Sequence, residues 1–296
     1  MRNKYRFVAV LLVGIALLDA GLIGFFRAGK KAAERQKIVA VTSFYPVYIA
    51  AANVVGDCGK ITLKNLSEPQ TGCLHDFQLT PEDMKLLSAA DIFLINGGGM
   101  ESFLGGVEEQ YPDLTVAETS DGLLDEEDNA HVWMSIPRYR SQTAKIAELL
   151  CKAAPECEKE LKENAAEYDR KLAGLQAQQE EIKKAAKGRS VVSFHEAYEY
   201  LAADYGFSIL YGLNLDEERQ VGAGEVADVL RAAKDGGADI IFAEELYGRD
   251  LAETVQKEAD VFVYYLDTLV RGAYDKDSYL DGMQKNLDLL KEAFGV

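Results

Sequence analysis

From Pro155 to Gly188 the chain shows no strand-like segment, and this stretch limits the possible folds more than any other. It is rich in Glu, Lys, Ala and Gln. Leu161, Ala165, Tyr168, Leu172, Leu175 and Ile182 recur at roughly helical spacing, and Gly188 supplies a stop. One helix of that length would measure on the order of 50 Å, too long for an ordinary crossover in a small sheet. What lies on either side is therefore expected to be two bodies joined by a stiff rod.

Both flanks alternate short apolar runs with helical stretches. Before the rod, strands are expected over 38–43, 61–66, 91–96 and 114–117, with helices over 44–55, 81–90 and 136–150. After it, strands are expected over 190–194, 208–213, 240–243 and 261–266, with helices over 195–205, 224–234, 249–258 and 278–294. Such alternation builds mostly parallel sheets covered on both faces. The expectation is an α/β protein of two lobes, 38–153 and 189–296, each with a roughly four-stranded sheet and flanking helices. The linking helix occupies 154–188. Thr80-Pro81-Glu82-Asp83 carries the signature of a helix start. Gly97-Gly98-Gly99 lacks both the G-x-G-x-x-G spacing and a Walker lysine, so it reads as a tight strand-to-helix turn rather than a phosphate cradle.

The first 37 residues stand apart. A basic lead, Met1 to Arg6, precedes an apolar run from Phe7 to Phe26 broken by Asp19, then a charged spacer. This is the pattern of a cleaved export signal or an uncleaved membrane anchor, and it places the body outside the cytoplasm, at the cell surface or in a periplasm. In an oxidising compartment Cys58, Cys73, Cys151 and Cys157 suggest disulfides. The simplest connectivity joins Cys58 to Cys73 and Cys151 to Cys157, the first bridge contributing about 3 kcal/mol. A thiolate metal site at Cys73 and His75 is the competing reading, without a C-x-x-C pair to support it. The net charge of -17 argues against a nucleic-acid or anionic-membrane surface.

There are 3 histidines in the chain, His75, His131 and His195. Each falls where an apolar run gives way to a loop or helix, and their intervals are similar. Ligands collect in the loops at the carboxyl ends of strands in open α/β sheets, and imidazole is the commonest metal ligand. Asp267 follows its apolar run in a position equivalent to His195. Two ligands from each lobe would then meet between them, three neutral imidazoles and one carboxylate, suited to a divalent ion. Glu244 and Glu245 also end a strand and rival Asp267 as the carboxylate. Asp76 and Glu196 adjoin histidines and are candidates to orient an imidazole.

The chain resembles the ZnuA/TroA-like metal-binding solute-binding proteins of bacterial ABC importers. The resemblance rests on Thr42-Ser-Phe-Tyr-Pro-Val-Tyr48, His75 with Gln78-Leu-Thr-Pro-Glu-Asp83, Ala90-Asp-Ile-Phe-Leu-Ile-Asn-Gly-Gly98, Asn129-Ala-His-Val-Trp-Met134, Ser193-Phe-His-Glu-Ala-Tyr198 and Tyr265-Leu-Asp-Thr-Leu269. It implies His75, His131, His195 and Asp267 as metal ligands. It also implies two lobes bridged by a helix, limited hinge motion, and delivery by a monomer to a permease with its ATPase. Histidine at the third ligand position leans toward zinc over manganese. Three departures stand out: no lipid-attachment cysteine near the N-terminus, no long histidine-rich loop, and an altered pattern over Glu217 to Gly224. The rival readings are a three-histidine zinc hydrolase, for which neither H-E-x-x-H nor G-x-S-x-G is present, and a metal-stabilised adhesin.

Overall fold

A computed structural model describes residues 37–72, 74, 77–125, 128–215, 221–244 and 247–296. The N-terminal signal or anchor segment, Cys73, His75, Asp76, Glu217 and Glu245 lie outside the described residues. Among those described, no helix is long and apolar enough to cross a membrane.

The first sheet contains β1 (Ile38–Thr42), β2 (Ile61–Asn65), β3 (Ile92–Ile95) and β4 (Thr115–Glu118) in the order β2-β1-β3-β4. β1 pairs with β3, and β3 with β4, in parallel. Helices α1 (Tyr45–Val55), α2 (Pro81–Ser88), α3 (Leu104–Gln110) and α4 (Ile136–Ala153) accompany it. The second sheet repeats the plan with β5 (Ser190–Ser193), β6 (Ser208–Gly212), β7 (Ile240–Ala243) and β8 (Phe262–Tyr265) in the order β6-β5-β7-β8, all in parallel. Its helices are α7 (Glu199–Tyr205), α8 (Ala223–Lys234), α9 (Arg249–Glu258) and α10 (Ser278–Phe294). β3 and β7 are buried along their whole length, as strands covered on both faces must be. The Thr80 cap forms as its sequence implies: Thr80 Oγ1 accepts from Asp83 N–H, and Asp83 Oδ2 accepts from Thr80 N–H at 2.8 Å.

The rod between the lobes differs from a single helix. Pro155–Cys157 is a 3-10 turn, followed by α5 (Glu158–Gln176) and α6 (Gln179–Ala186). The interruption falls where Gln178 N–H bonds the carbonyl of Leu175, an i→i−3 bond that tightens the spiral. Here the Gln178 side chain reaches across to Gln284 (2.7 Å) and Lys291 (2.8 Å) on α10. Tertiary bonding thus coincides with the interruption of a stretch whose periodicity alone implies one helix. α5 packs against α1 and α4 of the first lobe, α6 against α7 and α10 of the second.

The lobes also meet along an aromatic seam. Tyr139 of α4 stacks on Tyr279 of α10 with ring centroids 3.8 Å apart. The Tyr139 hydroxyl donates to Pro46 O at 3.0 Å, and that of Tyr279 to Trp133 O at 2.7 Å. Trp133 Nε1 in turn donates to Thr268 O at 2.8 Å. Beyond Thr268, a strap running to Asp277 is fastened to the first lobe. Tyr45 Oη donates to Ala273 O at 2.6 Å, Gly272 N–H to Pro69 O at 3.1 Å, and Tyr274 Oη to Ser67 O at 3.1 Å. Gly272 has φ +153, and a Cβ there would sit 2.5 Å from Tyr45 Oη, so the residue must be glycine.

The cysteine pairing expected from proximity is overturned. Cys58 is bonded to Cys157, closing a sequence separation of 99, and Cys151 is free. Cys58 lies just beyond α1, which packs along α5, and Asn164 of α5 donates to Val54 O at 3.1 Å. Helix packing, rather than nearness in sequence, delivers Cys157 to Cys58. In the chain-entropy model a loop this long corresponds to about 4–5 kcal/mol of stabilisation. Cys58→Ser should therefore lower the melting temperature strongly while Cys151→Ser leaves it unchanged; peptide mapping under non-reducing conditions should recover the Cys58–Cys157 pair. Equal losses in both variants would contradict this pairing.

Candidate metal centre

In both sheets the strand order reverses direction between the two central strands, creating a crevice at their carboxyl ends. In the second lobe those strands are β5 and β7, followed by His195 and Glu244. In the first lobe β3 is followed by Asn96, a fully buried side chain that donates to Ala130 O at 2.8 Å and accepts from Gln142 at 2.9 Å. Asn96 thereby fixes the loop carrying His131. Gly98, at φ +63, makes the close approach possible: a Cβ would stand 3.2 Å from that of Ala130. The triple glycine is indeed a turn. The Glu101 carboxylate accepts from Asn96 N–H (2.8 Å) and Gly97 N–H (3.0 Å), taking donors a phosphate would need. Burial raises the Glu101 pKa, opposed by these same hydrogen bonds.

His131 and His195, from opposite lobes, meet edge to face with ring centroids 5.3 Å apart and planes at 86°. Both are buried, at 0% and 1% exposure. Two imidazoles sharing one tetrahedral ion at Zn–N distances of about 2.0–2.1 Å would place their centroids roughly 5 Å apart, so the pair has the spacing of co-ligands. His131 Nδ1 lies 2.9 Å from Asn129 Oδ1, which accepts its proton and leaves Nε2 with the lone pair a metal requires. His195 Nδ1 accepts from Ala197 N–H at 3.0 Å, and its Nε2 lies 3.8 Å from Glu244 Oε2.

Of the expected acids, Glu196 lies beside His131, with Oε1 3.6 Å from His131 Nδ1. Glu244 is buried and ion-paired, Oε1 to Arg271 Nη2 at 2.7 Å. Burial lifts its pKa to about 6, with Arg271 pulling down and the charge of Asp267 pushing up. Asp267 is exposed. Its backbone is clamped by Asn286 of α10, which accepts from Asp267 N–H at 2.8 Å and donates to Asp267 O at 2.7 Å. Its Oδ1 accepts from Leu269 N–H at 2.8 Å. Among the described residues no three His, Cys, Asp or Glu side chains are grouped closely enough to hold an ion. His75 lies outside them. Asn129, Asn286 and Arg271 received no role from sequence. Only Asn129, two residues before a histidine, offered a local signal.

The model of a protein family described as the zinc-uptake complex component A, periplasmic, matches residues 40–293. The zinc-binding protein AdcA of Streptococcus pyogenes is 28% identical over 317 residues, covering 93% of this chain and 60% of that protein. The high-affinity zinc uptake system protein ZnuA of Bacillus subtilis is 26% identical over 293 residues, covering 90% and 91%. The crystal structure of the Zn(II)-bound ZnuA-like domain of Streptococcus pneumoniae AdcA aligns with a TM-score of 0.76 at 27% identity, over 88% of this chain and 100% of that domain. The chain belongs to the zinc-uptake component A family of metal-binding solute-binding proteins. It spans 60% of the length of the AdcA relative.

Asn129 ties His131 to the second lobe as well, since its Nδ2 donates to Glu196 O at 3.1 Å and Glu199 Oε2 at 2.9 Å. Loss of an outer partner of a metal-bound histidine typically costs 10–100-fold in affinity. Asn129→Ala is expected to weaken zinc binding at least tenfold in competitive titration, with an unchanged circular dichroism spectrum. Wild-type affinity in that variant would remove Asn129 from the site.

Proposed function

We propose that the chain captures a divalent transition metal, zinc in preference to manganese, between its lobes and delivers it to an ABC permease powered by its ATPase. His75, His131, His195 and Asp267 are the ligands, and the ion is cargo rather than a catalytic group. The observation that carries this reading is the buried contact of His131 with His195, one imidazole from each lobe, in a chain of the zinc-uptake family. Nitrogen-rich donor sets suit zinc, whereas manganese prefers oxygen. The protein works outside the cytoplasm as a monomer, exported or anchored by its N-terminal segment. With the strap and the aromatic seam joining the lobes, release proceeds by shifts of the ligand loops rather than by wide hinge opening.

Metal analysis of the full-length chain tests this directly. One zinc per chain is expected, held more tightly than manganese in competition. His75→Ala, His131→Ala, His195→Ala and Asp267→Ala should each weaken zinc at least tenfold without unfolding the protein. A protonated imidazole cannot ligate, so affinity should fall as pH drops toward and below about 6. A chain that binds neither ion, or whose affinity is flat into acid, is not a three-histidine carrier.

A further inference from the structure

In the second lobe His195 stands two residues beyond the end of β5, and Asp267 two residues beyond the end of β8. These strands are not neighbours, because β7 runs between them in the order β6-β5-β7-β8. They are two strand spacings apart, roughly 10 Å. They therefore share no ladder that would set the distance between their ends. The Tyr198 side chain crosses that gap. Tyr198 closes the 3-10 turn Glu196–Tyr198, which His195 caps by accepting from Ala197 N–H at 3.0 Å. Its ring lies 5.8 Å from the His195 ring. Its hydroxyl donates to Leu266 O at 2.8 Å, the carbonyl directly before Asp267, and lies 3.4 Å from Ala243 O at the end of β7.

The Tyr198 side chain is fully buried, where a phenol must find a partner. Its partner belongs to a segment that is tightly specified on its other sides. Asn286 of α10 accepts from Asp267 N–H at 2.8 Å and donates to Asp267 O at 2.7 Å. Leu269, with φ +60, turns its N–H back onto Asp267 Oδ1 at 2.8 Å. A left-handed leucine is costly and persists where its surroundings over-determine it. These contacts fix Asp267 to α10 and to its own turn. Tyr198 adds the link to the turn of His195.

We infer that the Tyr198 hydroxyl is a positioning group for metal capture: by joining the His195 turn to the Leu266 backbone, it sets the separation of His195 from Asp267. It does so without touching the ion. Without the hydroxyl, the end of β8 can shift relative to that of β5, and the Asp267 carboxylate no longer meets the ion at the distance its shell requires.

The inference rests on the capture reading and on Asp267 as a ligand within it, and a double-mutant cycle separates them. Full-length wild type, Tyr198→Phe, Asp267→Ala and the double variant are titrated with zinc against a competing chelator, with folding checked by circular dichroism. Phenylalanine keeps the ring and its contact with His195. Tyr198→Phe is expected to weaken zinc at least fivefold, but less than twofold in the Asp267→Ala background, because coupled residues do not add. Tyr205→Phe controls for a merely structural hydroxyl: this buried group accepts from Gln179 of α6 at 3.1 Å, and its loss should leave zinc affinity unchanged. A wild-type chain that binds no zinc defeats the capture reading. Wild-type affinity in Asp267→Ala removes that ligand, and the role of Tyr198 with it. Unchanged affinity in Tyr198→Phe, equal losses with and without Asp267, or the same loss in Tyr205→Phe overturns the role of Tyr198 alone. Should Tyr198→Phe fail to fold, a crystal structure of the zinc-loaded wild type decides: an intact Tyr198–Leu266 hydrogen bond with Asp267 on the ion is expected, and a broken bond overturns the inference.

Discussion

Two imidazole rings from different lobes touch in the interior, and neither lobe alone holds them there. The contact depends on a chain of hydrogen bonds that crosses the seam repeatedly. Tyr279 bonds the Trp133 carbonyl, Trp133 bonds the Thr268 carbonyl, and Tyr200 bonds the Asn129 carbonyl at 2.6 Å. Each hydroxyl or indole here is at least partly buried, and an unpaired polar group in such a place is costly. The lobes are thus held in register by directional bonds as well as by apolar area. His131 sits two residues from each of Asn129 and Trp133, so the seam and the site are one structure.

Much of this was legible in the residues. Strands rich in Ile, Val and Phe, set between helical stretches, disclose parallel sheets covered on both faces. α9 and α10 occupy the residues their patterns imply. His131 and His195 stood out for a different reason, as a rare side chain at repeated strand ends, and the structure brings those two together. What remained hidden was long-range. The Cys58–Cys157 bridge follows from α1 packing on α5, which no local spacing encodes. The break at Gln178 coincides with partners over a hundred residues away on α10. Glu196 lies near the histidine of the other lobe for the same reason.

The strap from Thr268 to Asp277 joins the two halves of the cleft in another sense. It begins directly after Asp267, passes Arg271, and is tied to Ser67 and Pro69, a few residues before the loop of His75. A single run of backbone therefore spans from the exposed Asp267 carboxylate past the Arg271 partner of Glu244 to the residues that precede His75. Displacing it would disturb both lobes together.

Trp133 is the single tryptophan of the chain. Its indole is fully buried, 5.0 Å from the His131 ring and 5.0 Å from that of Phe44, with its N–H fastened across the seam. The intrinsic indole emission of this protein therefore arises from one position, at the junction of both lobes and beside a candidate ligand. Nature has built an optical probe into the site: its brightness and colour report on the cleft without any attached dye.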